Sequence, residues 1–312
     1  SIKTGKLELS WGGHKGPVTA LGVLQSGEIL SGGIDGSLIT WRDGQIFSKS
    51  SAHQGAITAM TMHKDKKDWL TAGADLLIRR GPPNAKLISV FKKKHTGPIT
   101  SLAWSNDHGW AASASGDRTV RTWSPGDGAE IDLFQGHPEG VNAVAISPDS
   151  RWLASGSDDA TIKIWPVKNG KLDPDREPIT LEKHKKPVTC LAFTPDGKRL
   201  LSGSQDQKLM VWNWQKGSMD FMIPGHKNWV TSLLQISNNI VLTTSDDLTM
   251  CAWDLSNGME IARVDFGAVG DCPRCLAQLS PDRVLVGTSS WLIYEFQLMP
   301  PQTKRGKDSS NK

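Results

Sequence analysis

The chain has 312 residues, of which 38% are hydrophobic and 22% charged, an ordinary globular composition with enough residues to bury a large core. The sequence contains neither a membrane span of about 18 apolar residues nor a secretory leader with a charged start and an apolar centre. The net charge of +4 comes mostly from the C-terminal end and leaves the rest nearly neutral, which argues against a dedicated nucleic-acid-binding protein.

The ends of the chain and its cysteines give hints about its context. The segment 302–312 has no aromatic or aliphatic residue and is basic, so we predict a disordered tail after a single domain of residues 1–301. Because the chain starts with Ser1, we interpret it as a piece of a larger, multidomain protein or as carrying a tag remnant. The spacing of the cysteines predicts no disulfide framework, so we expect reduced thiols and a cytoplasmic location, or a nuclear one. The cysteines are Cys190, Cys251, Cys272 and Cys275.

A repeat of about 40 residues runs through the chain. Histidines recur every 39 to 47 residues, at His14, His53, His95, His137, His184 and His226. An aspartate follows each histidine after 21 or 22 residues, at Asp35, Asp75, Asp117, Asp159, Asp206 and Asp247. A hydroxyl stands four residues before each aspartate, at Ser31, Thr71, Ser113, Ser155, Ser202 and Thr243. In five units a tryptophan stands six residues after the aspartate, at Trp41, Trp123, Trp165, Trp212 and Trp253.

The strands predicted along the chain are short and regularly spaced. A first strand, residues 6–11, precedes units that begin near residues 14, 53, 95, 137, 184, 226 and 268. Each unit has an apolar strand, a polar turn, a second strand, a tight turn at the aspartate, a third strand, and a fourth strand that leads to the next histidine. The seventh unit lacks the histidine and the aspartate, carries Phe296 in place of the tryptophan, and has only three strands. The first strand of the chain would supply its fourth, which predicts an all-β, seven-bladed propeller without an exposed edge.

Two units depart from the repeat. In the second, Arg80 stands near the tryptophan position after an apparent one-residue deletion, and the seventh keeps almost none of the repeated residues. We expect these two units to be less rigid than the others, with the seam at the seventh unit opening most easily.

Over residues 6–298 the units resemble the WD40 repeat family. In that family the aspartate, histidine, hydroxyl and tryptophan of a blade form a buried hydrogen-bonded tetrad, in which one imidazole nitrogen donates and the other accepts. The resemblance implies a tetrad in each of the five units that carry the tryptophan. They are His14, Ser31, Asp35 and Trp41; His95, Ser113, Asp117 and Trp123; His137, Ser155, Asp159 and Trp165; His184, Ser202, Asp206 and Trp212; and His226, Thr243, Asp247 and Trp253.

The resemblance also implies a binding face. In WD40 propellers, the loop before the first strand and the turn between the second and third strands share one face, the top, where partner peptides usually dock at the channel mouth. The residues placed at the mouth are Thr19, Thr58, Thr100, Asn142, Thr189 and Thr231. The residues before the tetrad aspartates include Asp158, Gln205 and Asp246.

Charged and aromatic residues surround this predicted mouth. Lysines enter the third, fifth and sixth units, at Lys92, Lys93, Lys94, Lys183, Lys185, Lys186 and Lys227. They are either a solvated rim or an arc that captures an acidic or phosphorylated segment, with Asp158 and Asp246 holding a basic side chain nearer the axis. Trp229, in the loop before a first strand, either packs on a neighbour or anchors a partner.

We predict a non-catalytic protein-interaction scaffold that needs no cofactor or metal. A chemical site is normally singular, whereas Ser, His and Asp recur here in six units, so the sequence favours structure over a hydrolase triad. The alternative function is binding of an anionic ligand, such as a phosphoinositide, a phosphopeptide or RNA, through the lysines. Cys272 and Cys275 have the spacing of half a zinc site without a second pair nearby, which favours incidental or redox-sensitive thiols. The insertion 168–178 is expected as an exposed loop on the opposite face, and as a candidate second contact.

Overall fold

The computed structural model describes residues 6–63, 65–82, 89–91, 94–107 and 109–298. Two of the predicted rim lysines, Lys92 and Lys93, and the predicted tail at 302–312 lie outside these residues. The described part forms seven antiparallel sheets, each of four or five strands, and contains two one-turn 3-10 helices at Trp214–Lys216 and Gly267–Val269. The all-β, seven-bladed propeller predicted from the sequence is confirmed.

The strands are numbered here in chain order. The first strand, β1, spans Lys6–Gly12. Blade 1 contains β2 (Val18–Val23), β3 (Ile29–Gly33), β4 (Ser37–Arg42) and β5 (Gln45–Ser51). Blade 2 contains β6 (Ile57–Met62), β7 (Trp69–Gly73), β8 (Ile78–Gly81) and β9 (Ser89–Val90). Blade 3 contains β10 (Ile99–Trp104), β11 (Ala111–Ser115), β12 (Thr119–Trp123) and β13 (Glu130–Gln135).

The remaining blades follow the same order. Blade 4 contains β14 (Val141–Ile146), β15 (Trp152–Ser157), β16 (Thr161–Lys168), β17 (Lys171–Leu172) and β18 (Ile179–Glu182). Blade 5 contains β19 (Val188–Phe193), β20 (Leu200–Ser204), β21 (Lys208–Asn213) and β22 (Ser218–Pro224). Blade 6 contains β23 (Val230–Ser237), β24 (Ile240–Ser245), β25 (Thr249–Asp254) and β26 (Met259–Asp265). Blade 7 contains β27 (Pro273–Ser280), β28 (Arg283–Thr288) and β29 (Leu292–Gln297), with β1 beside β29.

Burial decreases from the second strand of a blade to its outermost strand. Every residue of β3, β7, β11 and β20 is buried, which fits their short apolar sequences. All residues of the outer strand β5 are exposed, and its sequence is largely polar. The first strands of neighbouring blades contact one another around the central channel, so the core consists of layers packed between adjacent sheets. The insertion 168–178 starts as the short β16–β17 hairpin, at the end of blade 4 opposite the top face.

The N-terminal strand lies against the last blade. β1 pairs antiparallel with β29, and Trp11 stands opposite Ile293. The Trp11 side chain is buried, with its ring centroid 6.0 Å from that of Trp41 in blade 1. The same cluster contains Leu285 of blade 7 and Val23 of blade 1. The strand therefore covers the edge of blade 7, and its tryptophan fills the space towards blade 1.

Replacement of Trp11 by alanine is predicted to destabilise the fold by about 3–5 kcal/mol, because it leaves a cavity where blades 7 and 1 meet. The matched control is Trp229→Ala, which makes the same chemical change at a side chain that is 43% exposed and is expected to cost less than about 1 kcal/mol. Urea unfolding followed by circular dichroism measures both. Equal losses for the two variants would contradict this account of ring closure.

Candidate functional site

The tetrad of blade 3 is a chain of hydrogen bonds through one imidazole. His95 Nδ1 lies 2.8 Å from an Asp117 carboxylate oxygen, so this nitrogen carries the proton and donates it. His95 Nε2 then accepts from the Ser113 hydroxyl at 2.7 Å, and Ser113 accepts from the indole N–H of Trp123 at 2.8 Å. Every donor in this chain therefore has an acceptor.

The same chain recurs in blades 1, 4, 5 and 6. Its histidine-to-carboxylate, histidine-to-hydroxyl and indole-to-hydroxyl distances lie between 2.7 and 3.1 Å. The groups involved are His14, Ser31, Asp35 and Trp41; His137, Ser155, Asp159 and Trp165; His184, Ser202, Asp206 and Trp212; and His226, Thr243, Asp247 and Trp253.

In blades 1, 3, 5 and 6 the tetrad aspartate also fixes the loop that precedes the first strand. In blades 5 and 6 the carboxylate accepts the backbone N–H of Lys185 and Lys227, at 3.0 and 2.7 Å. Blade 4 has Pro138 at this position, which has no N–H to donate. The two loops that make the top face are thus tied together, and the rim lysines project from a rigid frame.

Blade 2 has no deletion, contrary to the interpretation of its sequence. Its register pairs Trp69 with Gly81, so Gly81 occupies the tryptophan position and Arg80 lies beside it. The Trp69 ring fills the vacated space, since a Cβ on Gly81 would lie 1.9 Å from it. His53 still bonds Asp75 and Thr71, each at 2.9 Å. The tetrad therefore loses its indole but keeps its other three groups.

Blade 7 joins its two top loops with a different carboxylate. Asp271, in the loop before β27, is buried and accepts the backbone N–H groups of Cys272 and Ser290 at 2.8 and 2.9 Å. It also accepts the hydroxyl of Ser289 at 3.0 Å. The carboxylate now comes from the loop and the amide from the turn, the reverse of the tetrad arrangement. Asp271 lies outside the repeated offsets and therefore could not be identified from the sequence pattern.

The titration of the tetrads follows from their burial. Burial lowers the pKa of five imidazoles, and the hydrogen bond to the aspartate only partly offsets this effect; they are His14, His53, His95, His137 and His226. Burial alone would raise the pKa of the partner aspartates, but hydrogen bonds from side chains and backbone N–H groups together lower it. These aspartates are Asp35, Asp75, Asp117, Asp159, Asp206 and Asp247.

Seven equivalent residues ring the channel on the top face. The ladder between the first and second strand of every blade shifts register by one residue near the top, and the extra residue lines a channel space of about 250 Å³. The seven are Thr19, Thr58, Thr100, Asn142, Thr189, Thr231 and Arg274. Six of them are the residues placed at the mouth from the sequence. Arg274 was missed because blade 7 has no histidine or aspartate from which to count.

Most of the ring residues donate their side-chain hydrogen bonds to the next blade. Thr100 donates to the carbonyl of Val141 at 2.6 Å, and Thr189 donates to that of Val230 at 2.5 Å. Thr19, Asn142 and Thr231 bond the following blade in the same way, at 2.5, 3.2 and 3.4 Å. These donors therefore hold neighbouring blades together, so a ligand would meet oxygen acceptors at these positions.

The acidic residues at the mouth already have partners within the chain. Asp158 accepts from the side-chain amide of Asn142 at 2.7 Å, and Asp246 accepts from the Arg274 guanidinium at 2.7 Å. Gln205 is half-buried in the equivalent turn of blade 5, where its backbone N–H donates to Pro187. The sequence led us to expect Asp158 and Asp246 to hold a basic side chain of a partner. In the structure, a basic side chain of the chain itself, Arg274, already lies beside Asp246.

Two tryptophans are exposed on the top face. Trp229 of blade 6 is 43% exposed and its carbonyl accepts the backbone N–H of Asp246 at 3.0 Å. Trp291 of blade 7 is 51% exposed and lies in the turn between β28 and β29. Its φ of 71° is left-handed, and Gly36 holds the equivalent place in blade 1. Trp291 was not singled out from the sequence, although it follows the turn position at which the aspartate is lost.

The rim lysines are exposed, whereas the two thiols of blade 7 are buried. Lys94, Lys183, Lys185, Lys186 and Lys227 are all exposed on the loops before their blades. Burial raises the pKa of Cys272 to about 11 and that of Cys275 to about 12, which disfavours thiolate chemistry. In the ranges described, no three His, Cys, Asp or Glu side chains are grouped so that they could hold a metal ion.

The repeated polar residues therefore build a structural frame, and the fold is that of a repeat-based β-propeller. The chain belongs to the WD40 family: the family model described as WD domain, G-beta repeat matches residues 5–42, 85–124, 128–166, 176–213 and 217–254. The matched segments leave out most of blade 2 and the strands β27, β28 and β29 of blade 7, the two blades with altered tetrads. Domains of this family typically mediate protein–protein interactions and are typically non-catalytic.

Two other comparisons bear on context. No protein of curated function matched the chain. Of the residues that the structure covers, none belongs to a helix with the length and apolar character needed to cross a membrane.

The tetrads predict that acid destabilises the protein in two steps. The five imidazoles have a lower pKa folded than unfolded, so their stabilisation is complete above about pH 6.5 and is lost as the pH falls below it. The aspartates act in the same direction below about pH 4, because the unfolded chain again binds protons first. Urea unfolding between about pH 7.5 and 5.5 should show a falling free energy of unfolding. The variant His95→Asn, which cannot titrate there, should lose less, and a flat profile for the wild type would contradict the argument.

Proposed function

We propose that the chain is a non-catalytic protein-interaction platform, the recognition part of a larger protein, and that a partner segment docks on its top face. The observation that carries this proposal is the pair of exposed tryptophans, Trp229 and Trp291, on neighbouring blades of that face. Tryptophan is among the residues that contribute most to protein interfaces, because its large ring loses much water-exposed apolar area on contact.

The exposure of Trp291 supports a role in binding rather than in stability. The equivalent turn residue is left-handed in every blade, so this backbone conformation belongs to the repeat, and what is particular to blade 7 is the indole; the residues are Gly36, Leu76, Arg118, Ala160, Gln207, Leu248 and Trp291. Since the ring is half-exposed, it contributes little to core packing.

The proposed contact surface extends from these tryptophans to the channel mouth. It includes Lys185, Lys186 and Lys227 on the rim, and Asp158, Gln205 and Asp246 beside the mouth. The threonines and Asn142 form a shallow polar floor, because their donors already bond the neighbouring blades. Steering by the rim charges would act mainly on association rate and specificity.

Burial of the tetrad hydroxyls supports a non-catalytic role. Ser113 and Ser202, for example, are 0% exposed, and each already accepts an indole N–H and donates to an imidazole. The hydroxyl, imidazole and carboxylate are connected as in a Ser-His-Asp triad, but a nucleophile also needs access to substrate, and these buried hydroxyls have none.

A second candidate function is binding of an anionic ligand, either a phosphoinositide headgroup or RNA. The exposed lysines Lys183, Lys185, Lys186 and Lys227 favour it, since none of them makes an ion pair with another described residue. Such binding weakens steeply with salt. A flat response of binding between low and moderate salt would remove this candidate.

Affinity capture from the native cells tests the platform proposal. The double variant Trp229→Ala, Trp291→Gly should lose at least about tenfold of a captured partner, since hot-spot truncations commonly cost 2 kcal/mol or more. Its free energy of unfolding should equal or exceed that of Trp229→Ala alone, because glycine relieves the strain. The control Ile46→Ala, Phe47→Ala removes exposed apolar side chains from the outer strand β5 and should retain the partner. Equal capture by the two double variants would sink the top-face proposal.

A further inference from the structure

One position of the channel ring differs in kind from the other six. Six positions carry a neutral threonine or asparagine, whereas Arg274 of blade 7 brings a guanidinium whose side chain is 42% exposed. The difference does not disturb the backbone, since Arg274 stands at the same register shift as its equivalents. The mouth of the channel is therefore chemically asymmetric, with one cation at the edge of blade 7.

The guanidinium is held in place and still has donors to offer. One nitrogen, Nη1, donates to Asp246, whose carboxylate oxygen also lies 3.5 Å from the Cys272 thiol. An arginine side chain carries five N–H donors in a planar fork, and the contact with Asp246 occupies only one nitrogen. A fixed, half-exposed fork of this kind matches a carboxylate, which can accept two parallel hydrogen bonds.

Hydrogen bonds link the cation of Arg274 to the loop that carries Trp229 and link the loop of Arg274 to the turn that carries Trp291. Arg274 bonds Asp246, and the backbone N–H of Asp246 bonds the carbonyl of Trp229. On the other side, Asp271 ties the loop that leads to Arg274 to the turn that carries Trp291, through Ser289 and Ser290. A segment lying across blades 6 and 7 would thus meet apolar surface, a cation, and apolar surface again.

The hydrogen bonds of the acidic residues at the mouth disfavour a partner that would bind through a basic side chain. A basic side chain would have to compete with Asn142 for Asp158 and with Arg274 for Asp246. The exposed lysines Lys185, Lys186 and Lys227 on the neighbouring loops add positive charge on the same side. Charge complementarity therefore selects an acidic partner.

We propose that the top face recognises a peptide segment in which a glutamate or aspartate side chain bonds Arg274 while flanking apolar side chains cover Trp229 and Trp291. This inference rests on the proposed top-face function and specifies its partner chemistry. Asp246 acts as an internal competitor that positions the guanidinium and sets the affinity for the incoming carboxylate.

Peptide selection on the whole chain tests the proposal. Two phage pools of short random peptides are used, identical except that the central residue is fixed as glutamate in one and as its neutral isostere glutamine in the other. The glutamate pool should yield binders with apolar residues near the centre, and the glutamine pool should yield few. The strongest glutamate peptide, made with a fluorophore, is then titrated with purified variants whose folding is checked by circular dichroism.

The variants separate recognition from a merely structural ion pair. Arg274→Gln should weaken binding of the peptide at least about tenfold, because a charge-assisted contact is lost. Asp246→Asn should strengthen binding severalfold, because the competing carboxylate is removed while the guanidinium remains. The control Arg151→Gln removes an exposed arginine from the turn between β14 and β15, away from the top face, and should change nothing. If Arg274→Gln and Asp246→Asn weaken binding alike, the pair is structural and the proposal is overturned.

The remaining outcomes distinguish this inference from the function on which it rests. Equal yields from the two pools overturn the acidic specificity, but leave the platform intact if the peptides are lost on Trp229→Ala, Trp291→Gly. Peptides that bind this double variant as well as wild type overturn both proposals. No binders from either pool, together with Arg274-dependent binding of vesicles containing phosphatidylinositol bisphosphate, overturns the peptide proposal in favour of a lipid.

Discussion

A neutral imidazole with one donor and one acceptor is the constraint on which the top face depends. Because Nδ1 donates a hydrogen bond to a carboxylate, Nε2 can act only as an acceptor. The hydroxyl uses its hydrogen to donate to Nε2 and therefore accepts a hydrogen bond from the indole N–H. The order of groups is fixed, as is the distance between the loop that carries the histidine and the turn that carries the aspartate. Loss of one member would leave buried partners unsatisfied, at about 1–3 kcal/mol each. The tetrads thereby tie the loops of the top face to the sheets beneath them.

The same logic separates structural from functional residues. Polar groups that recur from blade to blade are satisfied within the fold, as the tetrads of five blades are, and as Thr100 and Thr189 are through the carbonyls of the next blade. Groups that occur once lie outside these repeated networks. Arg274 in the ring and Trp291 in the turns break a seven-fold pattern, and both remain partly exposed. In a repeat protein, departure from the repeat is therefore the better guide to a binding surface than the repeat itself.

The sequence predicted the fold well because the tetrad residues stand at fixed offsets, and each offset corresponds to one strand and one turn. It failed where those markers are missing. Arg274 could not be placed without a histidine or aspartate in blade 7, and the register of blade 2 was misjudged because Arg80 lies next to the true position at Gly81. The threonines were correctly placed in the ring, but their bonds reach carbonyls some 40 residues away along the chain, which no local pattern reveals. Likewise, the ion pair of Asp246 joins two blades and so was invisible in either repeat alone.

Blade 7 keeps the fewest residues of the repeat and carries unusual residues at the ring and turn positions. Its packing shows how the fold tolerates these changes. It has no histidine, but Asp271 links its loops, and Phe266, Tyr294 and Phe296 stack within 5.7 to 6.4 Å of one another. Covering its edge, β1 adds Trp11 against blade 1. The aromatic contacts are apolar and lie in the core, so they stabilise the blade without using Arg274 or Trp291. The residues that set blade 7 apart on that face are the exposed indole of Trp291 and the charged Arg274, and departures from an otherwise consistent repeat are expected at functional surfaces.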